Sequence, residues 1–184
     1  MSEPLDPTLW TIGHSTRPIE DFISLLHAHQ IGLLVDVRTV PRSRHNPQFN
    51  TDVLAKSLKQ IDLAYRHMPS LGGLRKAKKD SINMGWRNDS FRGYADYMQT
   101  DEFRSALEEL MADSRLQPTA IMCAEAVPWR CHRSLIADAL VIRGWEVKHI
   151  MTETKADPHH VTSFAIVEKG ALYYPDPDAA PRLF

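Results

Sequence analysis

Twice in this chain a short apolar run ends in a polar loop and is followed by an amphipathic segment, a glycine and a second apolar run. The two stretches cover residues 9–37 and 119–150. Each reads as strand, loop, helix, strand. Neighbouring parallel strands need a long crossover, and a helix is its usual content. The pattern therefore predicts an α/β fold in which a mainly parallel sheet, built on β-α-β units, is flanked by helices. The run Leu33-Leu-Val-Asp-Val37 has apolar residues on both faces, as a strand covered on both sides requires.

The rest of the chain punctuates this plan. Pro18, Glu20 and Asp21 suit a helix start, and Ile19, Phe22, Ile23, Leu25 and Leu26 give that helix one apolar stripe. Gly32 is the expected stop. Asn50 or Thr51 caps a helix running to about residue 60, and 63–68 reads as a third strand. Residues 69–90 form a long, basic, glycine-bearing loop of the kind that is usually functional. Helices are expected over 91–98, over 101–112 with Thr100 as cap, and over 135–143 with Gly144 as stop. Residues 152–160 read as a loop, and 164–167 with 171–174 as a hairpin turning at Lys169-Gly170.

At 184 residues the chain suits a single core. It divides into an N-terminal extension (1–8), one α/β domain (9–174) and an irregular C-terminal tail (175–184). No apolar run reaches the length of a membrane span, and the acidic, proline-containing start does not resemble a signal peptide. A cytoplasmic protein with no membrane partner is expected. The two cysteines are then expected to be thiols rather than a disulfide scaffold.

In an open parallel sheet, ligands bind beyond the carboxyl ends of the strands. Three strand ends here carry unusual polar residues. Gly13, His14 and Ser15 follow the first. Asp36 and Arg38, then Ser43 and Arg44, follow the second. Cys123 and Glu125 follow the strand at Met122, and Cys131, His132, Arg133 and Ser134 lead into the next helix. Parallel strands would bring all of these to one edge. Cys123 is the candidate nucleophile, with His14 or Glu125 as acid or base. The helix start at Arg133 and Ser134, with its backbone N–H groups and guanidinium, is the expected anion cradle. Each residue also has a structural reading: Asp36 pairing Arg38 or Arg133, His14 bonding a turn, Cys123 as a small buried hydrophobe, Arg133 tied down by Asp36 or Glu125.

These residues carry a resemblance. Thr11-Ile-Gly-His-Ser15, Val35-Asp-Val-Arg38 with Pro41 and Ser43-Arg44, Leu71-Gly-Gly73, the Phe91–Tyr94–Tyr97 segment, Cys123-Ala-Glu125 and Cys131-His-Arg133 together resemble domain-of-unknown-function family 488. The resemblance runs from about residue 11 to 150 and implies a compact prokaryotic α/β domain with no settled activity. In layout, the segment from Leu33 to Arg38 and the strand, thiol loop and helix after Ile121 are similar to rhodanese and phosphatase domains. The spacing departs from theirs: Arg130 and Arg133 lie seven and ten positions after Cys123, and the loop holds an acid and no glycine.

Three functional readings follow. The first is a pocket for a small anionic ligand, with thiol chemistry at Cys123. The second is nucleic-acid binding or processing through the basic 38–92 region, with Trp86, Phe91, Tyr94 and Tyr97 stacking on bases. Residues 36–100 hold 12 Lys and Arg against 6 Asp and Glu, whereas the remainder holds 10 against 17. The third is a non-catalytic interaction module. No metal site and no cofactor are expected, since Cys-x7-Cys-His matches no common zinc spacing. The sequence leaves oligomeric state open.

Overall fold

The computed structural model describes residues 7–179, so the ends of the expected extension and tail, 1–6 and 180–184, lie outside the described residues. The chain runs β1 (Thr8–Gly13), α1 (Ile19–Ala28), β2 (Leu33–Asp36), α2 (Thr51–Lys59), β3 (Ala64–His67), α3 (Asp89–Tyr97), α4 (Asp101–Leu116), β4 (Thr119–Cys123), α5 (Arg133–Val141), β5 (Glu146–Thr152), β6 (Lys155–Pro158), β7 (Ile166–Glu168) and β8 (Ala171–Tyr173). Six strands form one sheet in the order β3-β2-β4-β1-β5-β6, and β7 pairs with β8 apart from it. The first five strands of the sheet are parallel and only β6 is antiparallel. This is the α/β architecture that the two repeated units predict.

Strand alternation divides the core. On one face Ile12, Leu34, Ala120 and Met122 meet Phe22, Leu25 and Leu26 of α1 and Leu54 and Leu58 of α2. On the other, Leu9, Leu33, Val35, Ile121 and Cys123 meet α3, α4 and α5. Side chains at successive strand positions point to opposite faces. Asp36 and Cys123, each the last residue of its strand, therefore serve opposite sides of one sheet.

Three local expectations are corrected. The chain leaves α1 through Gln30, in the left-handed region at φ 56°, and not through Gly32. Gly32 instead donates its N–H to the Pro118 carbonyl at the start of β4. Residues 155–158, read as loop, form the edge strand β6, because their backbone pairs with β5. Finally, α4 extends to Leu116, past the expected end at 112. The long loop after β3 is held in place by Asp96 of α3, whose carboxylate accepts from the Lys78 backbone N–H, the Ser81 hydroxyl and the Asn83 amide at 2.6–2.8 Å.

The exits of β1, β2 and β4 are level. Gly13 pairs with Cys123 and Asp36 with Met122. Beyond the pairing, the His14 N–H donates to the Cys123 carbonyl, Ser15 N–H to Ala124, and Val37 N–H to Met122. Gly13 allows this closeness, because a Cβ there would stand 1.8 Å from the Glu125 carbonyl oxygen. Backbone cannot yield as a flexible side chain can. Gly13→Ala is expected to cost about 3 kcal/mol or more, read as a lowered urea midpoint. Gly170→Ala is the control: open space surrounds Gly170 in its exposed turn at φ 79°, so only the cost of the left-handed backbone remains, about 1 kcal/mol.

Candidate functional site

Two clefts open side by side at the carboxyl edge of the sheet, each of about 420 Å³. The first is lined by Cys123, Cys131, His132, Arg38, Arg130, Gly73, Leu74, Phe91 and neighbours. The second is lined by His14, Ser15, Ser43, Arg42, Asn46 and neighbours. Arg38, Val40, Ala124 and Glu125 border both. The geometry thus brings together His14, Ser15, Arg38, Ser43, Cys123, Glu125, Cys131 and His132, distributed over two hollows. Gly13, Asp36 and Arg133 lie behind the lining, Arg44 is exposed away from it, and Ser134 borders a separate hollow beside β5.

The wall between the clefts is a buried ion pair. Asp36, wholly buried, accepts from Arg38 Nε at 2.8 Å and Nη2 at 2.6 Å, and from the Tyr65 hydroxyl at 2.8 Å. Arg38 also donates to the Phe49 carbonyl at 2.7 Å and, through Nη1, to His14 Nε2 at 3.3 Å. His14 donates Nδ1–H to the Ser15 carbonyl at 2.8 Å and stacks on Phe49. A carbonyl can only accept, which fixes the tautomer. Both ring nitrogens are therefore committed. Burial holds the His14 pKa down to about 4, and the nearby Arg38 charge adds to the effect. Burial and the Asp36 carboxylate hold the Tyr65 hydroxyl above its ordinary value.

On the opposite face Arg133, 1% exposed, is the most confined cation among the described residues. Its Nε donates to Cys123 Sγ at 3.0 Å, Nη1 to Thr11 Oγ1 at 3.1 Å and Nη2 to the Glu125 carbonyl at 2.7 Å. The guanidinium that sequence reading gave to a ligand is spent on the thiol and the surrounding loop. The partner is the Glu125 backbone, and the Glu125 side chain is exposed. Thr11 passes the network on: its hydroxyl bonds His149 Nδ1 at 2.7 Å, His149 Nε2 bonds His159 Nδ1 at 2.9 Å, and His159 Nε2 bonds Asp138 at 2.7 Å. Tyr174 and Thr162 complete the Asp138 shell. Sequence reading missed this chain. Its one legible sign was Asp138, an acid inside the apolar run Leu135 to Val141.

The two thiols differ. Cys131 follows a 3-10 turn at Pro128–Arg130 and meets the first backbone N–H of α5, that of Arg133, at 3.5 Å. Its Sγ lies 3.6 Å from His132 Nδ1, while His132 Nε2–H donates to the Val37 carbonyl at 3.0 Å. Nδ1 is thereby turned toward the sulfur. Gly73 packs against that ring, since a Cβ there would come within 2.6 Å of Nδ1. Burial opposes charge on Cys131, yet Cys123, His132 and Arg133 together hold its thiol well below the ordinary value. Cys123 is pushed well above it by burial and by its interaction with Cys131. The two thiols are thus pushed in opposite directions, Cys131 down and Cys123 up.

The aromatic residues of the basic region are largely internal. Tyr94 and Tyr97 are buried in the core, and Trp86 and Phe91 pack against it. Among the described residues no cluster of three or more His, Cys, Asp and Glu could hold a metal ion, and no helix is long and apolar enough to cross a membrane. A family model described as "Domain of unknown function DUF488" matches residues 18–140. No curated protein and no solved structure matches the chain.

A neutral, buried His14 makes stability depend on pH. The unfolded chain binds the imidazole proton below about 6.5, and the folded chain resists it until about 4. His149, held to about 4 by burial and by His159, behaves alike. Stability is expected to fall as pH drops through this window, with a shallower slope in His14→Gln, read by urea unfolding at a series of pH values. Asp36→Ala, which strands Arg38, is expected to cost about 3–5 kcal/mol, and Asp36→Ala with Arg38→Met to recover part of that loss.

Proposed function

We propose, for a chain that belongs to the DUF488 family, that the first cleft binds a small anionic ligand and carries thiol-dependent chemistry with Cys131 as the nucleophile. One observation carries the reading. Cys131 Sγ faces His132 Nδ1, the far side of that ring is fixed by the Val37 carbonyl, and the first N–H of α5 points at the same sulfur. Nucleophile, base and orienting group stand in sequence, as an activated thiol requires. A helix N-terminus and neighbouring cations favour the thiolate.

This moves the nucleophile from Cys123, the first expectation, to Cys131. Burial and Cys131 push the Cys123 thiol up despite the Arg133 N–H that it accepts, whereas Cys131 is held down by Cys123, His132 and Arg133. His132 takes the place that His14 or Glu125 had as base. His14 lines the other cleft with both nitrogens occupied. Anion selection falls to Arg130, exposed on the lining of the thiol cleft, since Arg38 and Arg133 are already paired. Exposed Val40 and Leu74 beside it suit a ligand with an apolar portion next to its charge.

Alkylation kinetics test the reading. Cys131 is expected to react with iodoacetamide at neutral pH about tenfold or more faster than the thiols of the unfolded chain, since its thiolate fraction is larger. Sulfate should slow it. His132→Phe and Gly73→Ala should reduce the rate several-fold, because losing or displacing His132 Nδ1 lowers the thiolate fraction of Cys131. Iodoacetate, the anionic reagent, should lose more rate than iodoacetamide in Arg130→Gln. Equal, slow reaction of both native thiols would overturn the assignment.

A further inference from the structure

Several features compete for a role beyond this. The hollow lined by Trp86, Trp129, His149, His159 and Thr162 sits at the far end of the Arg133–Thr11–His149–His159–Asp138 chain, but its mixed lining selects no one ligand chemistry. The basic loop of residues 75–79 contains no aromatic residue, and its Arg75 is already stacked on Tyr97. The thiol pair carries an argument further, because its surroundings restrict the reaction.

Both cysteines line the same cleft. Arg133 reaches both, with Nε on Cys123 and backbone N–H on Cys131. Acyl and phosphoryl transfer need preorganised donors where an oxygen gains charge. Here the buried donors nearest the sulfurs end on the sulfurs themselves, and the remaining guanidinium nitrogens end on Thr11 and Glu125. What this arrangement serves is charge on sulfur. The second thiol lines the same cleft and is tied to the same Arg133, which makes it the candidate to attack a mixed disulfide on the first.

We infer that Cys131 and Cys123 form a two-electron dithiol couple that exchanges with small anionic disulfides. The inference rests on the reading of Cys131 as nucleophile and adds the substrate class. In the first step Cys131 thiolate attacks one sulfur of R–S–S–R. The Cys131–S–S–R bond forms, the substrate S–S bond breaks, and R–S⁻ leaves with the proton that His132 Nδ1 accepted from Cys131, which frees Nδ1 again. In the second step Cys123 gives its proton to His132 Nδ1 and attacks Cys131 Sγ. The Cys123–Cys131 bond forms and the second R–S⁻ leaves, protonated in turn by His132. The dithiol is oxidised and the disulfide is reduced to two thiols. A dithiol reductant returns the chain by the reverse steps. The loop that joins the cysteines is exposed at residues 124–126, so it can adjust as the new bond closes. Contacts that favour thiolate stabilise the reduced pair and make the couple more oxidising.

Oxidised glutathione in excess is the test, with acid quenching, alkylation, intact mass and peptide mapping. The native chain should lose two hydrogens and yield one linked peptide pair, Cys123 with Cys131, and no lasting adduct. Cys123→Ser should accumulate a glutathionyl adduct on Cys131 that lasts about tenfold longer or more, because the resolving thiol is gone. Cys123→Ala is a second variant of the same kind, and the native map decides even if both fold poorly. A Cys131 adduct equally long-lived in the native chain overturns the couple and leaves the nucleophile standing. An adduct on Cys123 alone, or an unmodified native chain whose unfolded form reacts, overturns both.

Discussion

The Arg133 guanidinium is the interaction on which the functional edge depends. It starts α5, lies within the protein, and reaches β1 through Thr11, the end of β4 through Cys123 and the loop beyond it through the Glu125 carbonyl. A buried cation without partners would cost several kcal/mol. Here carbonyl, hydroxyl and sulfur share its charge. The same contacts therefore hold the loop, align the helix and bring positive charge to both thiols.

A second buried charge pair organises the other side of the sheet. Asp36 and Arg38 are two residues apart and leave the strand end as one bidentate unit, to which Tyr65, Phe49 and His14 are tied. The sheet keeps the two networks separate, because Asp36 and Cys123 are strand-end residues of opposite facing. They meet only at the rim, where Arg38, Val40, Ala124 and Glu125 border both clefts. One hollow thus holds an ionisable sulfur pair, and the other is lined by a histidine whose hydrogen bonds are complete.

The site was partly legible in the chain. Cys131, His132 and Arg133 stood out because they lie between a buried strand and a helix. The strand ends at His14, Asp36 and Cys123 stood out because polar residues rarely follow apolar runs so abruptly. Which cysteine meets a histidine nitrogen was not legible. That depends on a ring nitrogen aimed by the Val37 carbonyl, 95 positions away in sequence. The Thr11–His149–His159–Asp138 chain was equally hidden, since its links span separations of 138, 10 and 21 residues. Gly73 could be seen only as half of a double glycine, and its use, admitting the His132 ring, comes from the fold.

The sequence by itself determined the parallel α/β sheet and the edge at which polar groups gather, because hydrophobic periodicity and crossover length are properties of contiguous residues. The edge strand β6 escaped it, since its order comes from pairing with β5 and not from its own composition. Tertiary structure alone decided the division into two clefts, the inward commitment of Arg133 and the placing of His132 beside Cys131. Burial, helix direction and hydrogen-bond partners set the charge on a side chain, and those are fixed only when distant segments pack.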